Sequence, residues 1–424
     1  METDPTRMCV LLVGLPDVTV AGVGEWPSWL RIVITTGLAA PDCCGVVAHR
    51  HGMREVELVD LPVFGRSARL VWRKQRWRCP TCRRTWTEQD PQIASSRCAM
   101  TTRAARWATV QVGRHGRAVS EVAADLDCDW HTVMDAVVIY GTPLIDDPDR
   151  FGAVSAVGLD ETLFAREGEF RIQRWSTQIV DVGAGQLLDI VPGRDSSAPC
   201  AWFAARPEQW RAGIGWATLD LSASYRTVFD TMLPDAVQVA DPFHVVRVAN
   251  TALDECRRRV QNETVGHRGR KPDPLYRARR LLTIAAERLP DDRRQRLVGL
   301  LAAGDPKGEV KLTWHAKEVV RQIYDHTDPA LADAWVDEII RDFADRTMPL
   351  EVRRLGRTIK RWRDQIVAWH RSHVSNGPTE AINNLVKRVK RVAFGMRRFR
   401  NYRIRALLYA GRPNWELLDT ITPP

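Results

Sequence analysis

Apolar and polar residues alternate in short runs along the first stretch of the chain: Val18–Val23, Leu30–Thr36, Glu55–Leu61 and Ala68–Trp77. Gly, Pro and Asp punctuate them, so the pattern predicts a small β-rich module over residues 1–98. The period then changes. From Thr102 to Tyr140 apolar residues recur at three- and four-residue steps: Val119, Val122, Ala123 and Leu126 form one stripe, and Trp130, Val133, Met134 and Val137 a second. Asp127-Cys128-Asp129 breaks between them. Two short amphipathic helices joined by a tight turn fit a helix-turn-helix over residues 99–145. His131 and Thr132 would stand at the exposed start of its second helix, where base edges are read. Any αα-hairpin shares this pattern; the preceding Arg103, Arg106, Arg114 and Arg117 favour the nucleic-acid reading.

Pro143 to Arg150 reads as a linker, and beyond it the pattern is mixed. Ala153–Asp160 is an apolar run ending in an acid, and Phe170–Val182 and Gln186–Val191 are strand-like, which predicts a three-stranded antiparallel meander. Helix and strand patterns then alternate: Ala198–Ala205, Gly213–Leu219, Tyr225–Met232, Ala236–Ala240, and a long helix from Phe243 to Glu263. After the basic loop Gly266–Pro274, everything from Leu275 to Trp369 reads as helical, with breaks at Pro290, Asp305-Pro306 and Asp328-Pro329.

Charge sharpens this picture. The chain holds 62 Lys and Arg against 52 Asp and Glu, a formal charge of +10. The surplus is concentrated: Glu351 to Arg412 contains 17 basic residues and three acids, Glu351, Asp364 and Glu380. Such a segment repels itself unless phosphates or solvent neutralise it, and its interleaved aromatics (Trp362, Trp369, Phe394, Phe399, Tyr402) suit a folded surface. No apolar run approaches the roughly 20 residues of a membrane span. The acidic start (Glu2, Asp4) lacks the basic region of a signal peptide, so the expected compartment is the bacterial cytoplasm, on the nucleoid.

Nine cysteines without an export signal predict reduced thiols. Cys79-Pro-Thr-Cys82 places two thiolates on one turn, half of a tetrahedral zinc site. Its partners lie upstream at Cys43 and Cys44, with Pro41 where the first Cys of a second pair is expected. Adjacent cysteines seldom both reach one ion, so His49 and His51 compete with one of them as a ligand.

Three acids carry the candidate chemistry. Asp160 and Asp220 close apolar strands, where a carboxylate is costly unless paired, and Mg²⁺ or Mn²⁺ is a natural partner. Glu161 should point to the opposite face, so only Asp160 of the two is expected at the site. Asp241 is expected to cap a helix. Ser375-Asn-Gly-Pro-Thr-Glu380 opens a helix to about Val392. Ile382, Leu385/Val386, Val389 and Val392 form its core stripe, and Glu380, Asn384, Lys387 and Arg391 share the opposite face.

With these motifs the chain resembles insertion-sequence transposases of the ISL-three type, within the DDE group. The resemblance rests on the Cys-rich start, Gly158-Leu-Asp160-Glu161, Leu219-Asp220-Leu-Ser, Asp241-Pro-Phe-His244, and Ser375-Asn-Gly-Pro-Thr-Glu380-Ala-Ile-Asn383-Asn384 running on to Gly395-Met-Arg-Arg-Phe399. It implies a multidomain α/β protein: the zinc module, the helix-turn-helix, an RNase H-like mixed-sheet core over 151–262 and 370–412, and an all-α insertion over 263–369. It further implies two Mg²⁺ or Mn²⁺ ions on Asp160, Asp220 and Glu380, structural zinc, and double-stranded DNA, both terminal inverted repeats and target. Lys387, Arg388, Lys390, Arg391, Arg397, Arg398 and Asn384 are the expected DNA contacts, and a homodimer or larger assembly the expected form on DNA. A structure-selective nuclease on the same core and an inactive DNA-binding derivative are the alternatives.

Overall fold

The computed structural model describes all residues except Met1, Thr3, Leu38, Arg97 and Pro424, and Thr6 without its side chain. Helix α1 (Pro5–Val13) leads into strands β1 (Val18–Glu25), β2 (Trp29–Thr36), β3 (Asp42–Cys43), β4 (Val46–Val47), β5 (His49–Val63), β6 (Arg66–Arg78) and β7 (Thr85–Thr87). They form a sheet ordered β1-β2-β6-β5, with β7 added on β6, plus the two-stranded β3–β4 ladder. Ile34, Leu58, Leu70, Trp72 and Ile93 make its core. The four expected strands are all present; β5 and β6 are longer than their apolar runs because their pairing continues to His49 and Arg78, where β5 is exposed.

Helices α2 (Thr102–Gly113), α3 (Val119–Asp125) and α4 (Trp130–Ile145) follow. The expected linker is a correction. Helix α4 runs through Pro143, and Arg150 is buried, donating to the carbonyls of Ile145, Leu187 and Gly411 at 2.9–3.0 Å and to that of Leu188. A proline is tolerated late in a helix when surrounding packing holds the turn together.

The second sheet contains β8 (Ala156–Glu167), β9 (Ile172–Asp181), β10 (Gln186–Pro192), β11 (Trp216–Leu219) and β12 (Val237–Ala240), in the order β10-β9-β8-β11-β12. The first three are antiparallel, as the meander pattern predicts, and β11 and β12 run parallel to β8. Between them lie α5 (Ser197–Ala204), α6 (Glu208–Ala212) and α7 (Ala223–Met232). The remainder is helical: α8 (Pro242–Val265), α9 (Pro274–Ala278), α10 (Asp291–Gly304), α11 (Glu309–Gln322), α12 (Pro329–Asp342), α13 (Leu350–Arg361), α14 (Arg363–Ser372), α15 (Gly377–Val392) and α16 (Phe399–Ala410).

The sheet is buried on both faces, which explains its continuous apolar runs. Val157, Leu159 and Ile179 pack with α5, α7, α8 and α11–α14; Phe164, Val180, Leu187 and Ile190 pack with α2–α4, α15 and α16. The helices after α8 therefore do not form one separate body. Buried residues between Leu253 and Val310 build a smaller core of their own. Among the described residues no helix is long and apolar enough to cross a membrane.

Candidate active site

Register alone lines up the acids. Strand β11 pairs with β8 through Trp216–Ala156, Ala217–Val157 and Thr218–Gly158, and with β12 through Leu219–Ala240. Two residues past Thr218, Asp220 falls level with Asp160, and Asp241 follows the last residue of β12. Asp160 is not at a strand end, as its apolar run suggested: β8 continues to Glu167. It is instead where β8 outruns β11, leaving one edge of the strand open.

That open edge also overturns the expectation for Glu161. Its side chain does leave from the opposite face, where Tyr225 Oη donates to it at 3.1 Å. Yet one carboxylate oxygen each from Asp160, Glu161 and Asp220 lie within 4.8 Å of one another. Beyond Gly158 the pairing of β8 with β11 ends while that with β9 continues, and the two carboxylates meet on the side that β11 leaves open. Burial raises all three acids above the usual carboxylate range, Asp160 to about 6, and repulsion from neighbouring carboxylates adds to this at Asp160 and Glu161. Oδ1 of Asp220 is buried with no hydrogen-bond partner. Asp220 is not a helix cap, because Ser222 accepts from the Tyr225 N–H in that role. Leu221, between them, is held at φ 65°.

Asp241 is the cap the sequence suggests. Its Oδ2 faces His244 Nδ1 at 3.2 Å, and its Oδ1 accepts from the Asn376 N–H at 2.8 Å. His244 was not among the expected site residues. Burial works against its cation, but Asp241, Asp220 and Glu380 outweigh that and raise it above the ordinary histidine range. Its Nε2 lies 3.8 Å from Glu380. Glu380 thus lines the same cleft of about 390 Å³ as the three acids, along with Arg247, Asn384 and Lys387, but it stands outside their tight cluster and is turned towards the imidazole.

The motif that opens α15 works as a docking strip. Asn376 Oδ1 accepts from Thr218 Oγ1 at 3.0 Å, Thr379 abuts Gly158, and Asn383 Nδ2 donates to Asp160 Oδ2. Gly158 permits this approach. A Cβ there would stand 2.3 Å from Thr379 Oγ1, 2.8 Å from Thr218 Oγ1 and 2.9 Å from Asn376 Oδ1. Gly158→Ala is expected to lower stability by about 1–3 kcal/mol and to lower activity more than the lost stability explains, because it lifts Glu380 and Asn383 off the acids. Thermal melts paired with rates on the folded variant check this; an active, stable variant would contradict the docking role.

The expected DNA contacts separate. Asn384 and Lys387 face the cleft. Lys390 is half-buried, and its Nζ donates to the Leu163 carbonyl at 2.6 Å and ties α15 to β8. Arg388 lies over the Tyr409 ring, and Arg391 is exposed. His131, Arg397 and Arg398 line a different cavity, described below, and Thr132 is half-buried beside it.

Far from the cleft, Cys43, Cys44, Cys79 and Cys82 bring their sulfurs within 4.8 Å of one another, with Cys43 at 3.8 Å from Cys44 and 3.6 Å from Cys82. A tetrahedral zinc with bonds of about 2.3 Å requires sulfurs roughly 3.8 Å apart, so the set fits. The adjacent pair succeeds because Cys44 and Gly45 both take positive φ, 55° and 71°, in the β3–β4 turn. That turn swings consecutive side chains to one side, so no histidine ligand is needed.

Comparison with known proteins accords with both sites. A family model described as a transposase, of the ISL3-type DDE group, matches residues 157–406. The chain belongs to that family. A second model, the zinc-finger of transposase IS204/IS1001/IS1096/IS1165, matches residues 41–82 and covers all four cysteines. Among relatives in the family, the transposase for insertion sequence element IS1557 of Mycobacterium tuberculosis is 29% identical over 291 residues, 63% of either chain. The present chain thus spans somewhat under two thirds of the IS1557 transposases it matches. The transposase for IS1001 of Bordetella parapertussis is 24% identical over 369 residues, 82% of each.

Proposed function

We propose that the chain is a transposase that binds the terminal inverted repeats of an insertion sequence and cuts and joins DNA strands at the cleft of Asp160, Asp220 and Glu380. The carrying observation is the cluster of half-buried carboxylates, one with an orphaned oxygen, beside cationic residues. A sheet of order 3-2-1-4-5, with one acid inside its central strand and a second just past the end of the neighbouring strand, supports an RNase H-like core, here residues 151–262 and 370–412 with the helices of 263–369 inserted. Residues 1–98 form the zinc module, and 99–145 the helix-turn-helix that reads the repeats.

Clustered hard oxygen donors, one of them on Asp220 without a hydrogen bond, suit Mg²⁺ or Mn²⁺. Asp160 and Asp220 would hold the two ions, with Glu380 and Glu161 flanking them. Such an ion pair supplies an activated hydroxyl nucleophile and neutralises charge on the phosphodiester. Asn383 fixes the orientation of Asp160, and His244, anchored by Asp241, holds Glu380 at the cleft. Lys387 and Arg247 draw the DNA phosphates in, so affinity falls with salt. Two element ends must be brought together, which a dimer on DNA accomplishes.

Incubation with Mn²⁺ and labelled element ends tests this reading. End-specific nicking followed by joining is the expected result. Nicking without joining would make the chain a nuclease, and binding alone an inactive derivative.

A further inference from the structure

A cavity of about 560 Å³ opens between the starts of α3 and α4 and the loop joining α15 to α16. Arg405 lines it and is only 2% exposed. One of its terminal nitrogens donates to the Arg117 carbonyl at 3.2 Å, and its Nε has no partner. No ion pair reaches it among the described residues, and burial alone lowers it to about 10. A buried guanidinium without a counter-charge is costly unless an anion completes it. Arg397 and Arg398 line the same cavity, and among the described residues no carboxylate does.

Two large rings, Trp130 and Phe394, stand in the same wall among small, aliphatic and polar residues. Trp130 and Phe394 are 40% and 94% exposed. Phe394 sits at φ 52°, followed by Gly395 at φ 109°. A large apolar side chain on a left-handed backbone, turned to solvent, stores strain that folding alone does not reward. Arg397 is shared with a neighbouring cavity that reaches Trp175, and Trp175 in turn lines the acidic cleft.

We propose that this cavity takes one unstacked nucleotide of the bound DNA, its phosphate on Arg405, Arg397 and Arg398 and its base on Trp130 and Phe394. The inference rests on the proposed function and adds a second point of contact away from the cleft. Cations paired with exposed rings are what an unpaired nucleotide requires: charge tracks the backbone, and any base has a face to stack.

The test measures binding alone. The full-length protein is titrated with a labelled duplex carrying one unpaired thymidine, with the same duplex fully paired, and with a version whose unpaired residue is abasic. The unpaired thymidine is expected to bind about ten-fold tighter than the abasic form. Phe394→Ala should remove that difference, and Arg405→Met should weaken both forms alike by about ten-fold. Should Arg405→Met not fold, Phe394→Ala and Trp130→Ala, both at exposed side chains, decide the matter. Equal binding of thymidine and abasic duplexes would overturn the proposal. So would inorganic phosphate competing equally with every duplex while Phe394→Ala has no effect, since the cavity would then be a phosphate contact only. Asp160→Asn is expected to show the same thymidine preference. Failure to cut element ends would therefore count against the catalytic reading and not against this one.

Discussion

Asp160→Asn is expected to reduce strand cleavage by about 1,000-fold or more, leave DNA binding within about two-fold, and raise the melting temperature of the metal-free protein. Metal ions contribute several kcal/mol of transition-state charge stabilisation, and each 1.4 kcal/mol is about ten-fold in rate. The gain in stability follows from the same geometry. Three half-buried carboxylates within 4.8 Å repel one another, and removing one charge relieves the others. The ordering should invert on adding Mn²⁺, which stabilises the wild type by binding only its folded form. Melting curves with and without Mn²⁺, beside a cleavage assay, check both halves. A variant that still cuts, or one that Mn²⁺ stabilises as much as the wild type, would remove Asp160 from the site.

Cys79→Ser and Cys44→Ser are each expected to abolish zinc retention and open residues 41–84 to protease while the α/β core stays folded. Structural zinc contributes about 10 kcal/mol or more to small modules of this kind, and the β3–β4 ladder of two residues per strand has little else to hold it. The core beneath the second sheet shares no residues with that ladder, so its unfolding should be unchanged. Metal content and limited proteolysis measure the outcome. Cys44 is the sharper probe: full zinc in Cys44→Ser would return the fourth position to a histidine.

Much of this architecture was legible because one signal dominated each element. Alternation marked β1, β2, β5 and β6, and the two stripes around Asp127-Cys128-Asp129 marked α3 and α4. What the sequence hid depended on long-range pairing. Asp160 reads as a strand terminus because Glu161 breaks the apolar run, yet β9 pairs with β8 as far as Glu167. The place of Glu161 in the cluster follows from where β11 stops, a property of a strand some sixty residues away in sequence. Lys390 looked like its neighbours Lys387 and Arg391, and only the packing of α15 on β8 shows that it is engaged. Cys44 stood as a zinc partner in competition with a histidine, and it reaches the cluster for a local reason, its left-handed backbone, which the following Gly45 could have signalled. The role of His244 was hidden in the same way; the three-residue spacing of acid and imidazole in Asp241-Pro-Phe-His244 was the available cue.

Arg150 bears on how a DNA end is handled. Clamped to carbonyls from α4, β10 and the segment after α16, it welds the α2–α4 helices to the sheet that carries the acids. Under the proposed function, the part that recognises an end and the part that cuts it keep a constant spacing. The molecule then acts as a ruler, and the nick falls a set number of base pairs from the recognised letters. Inserting or deleting bases between the two would misplace the cut or forbid it.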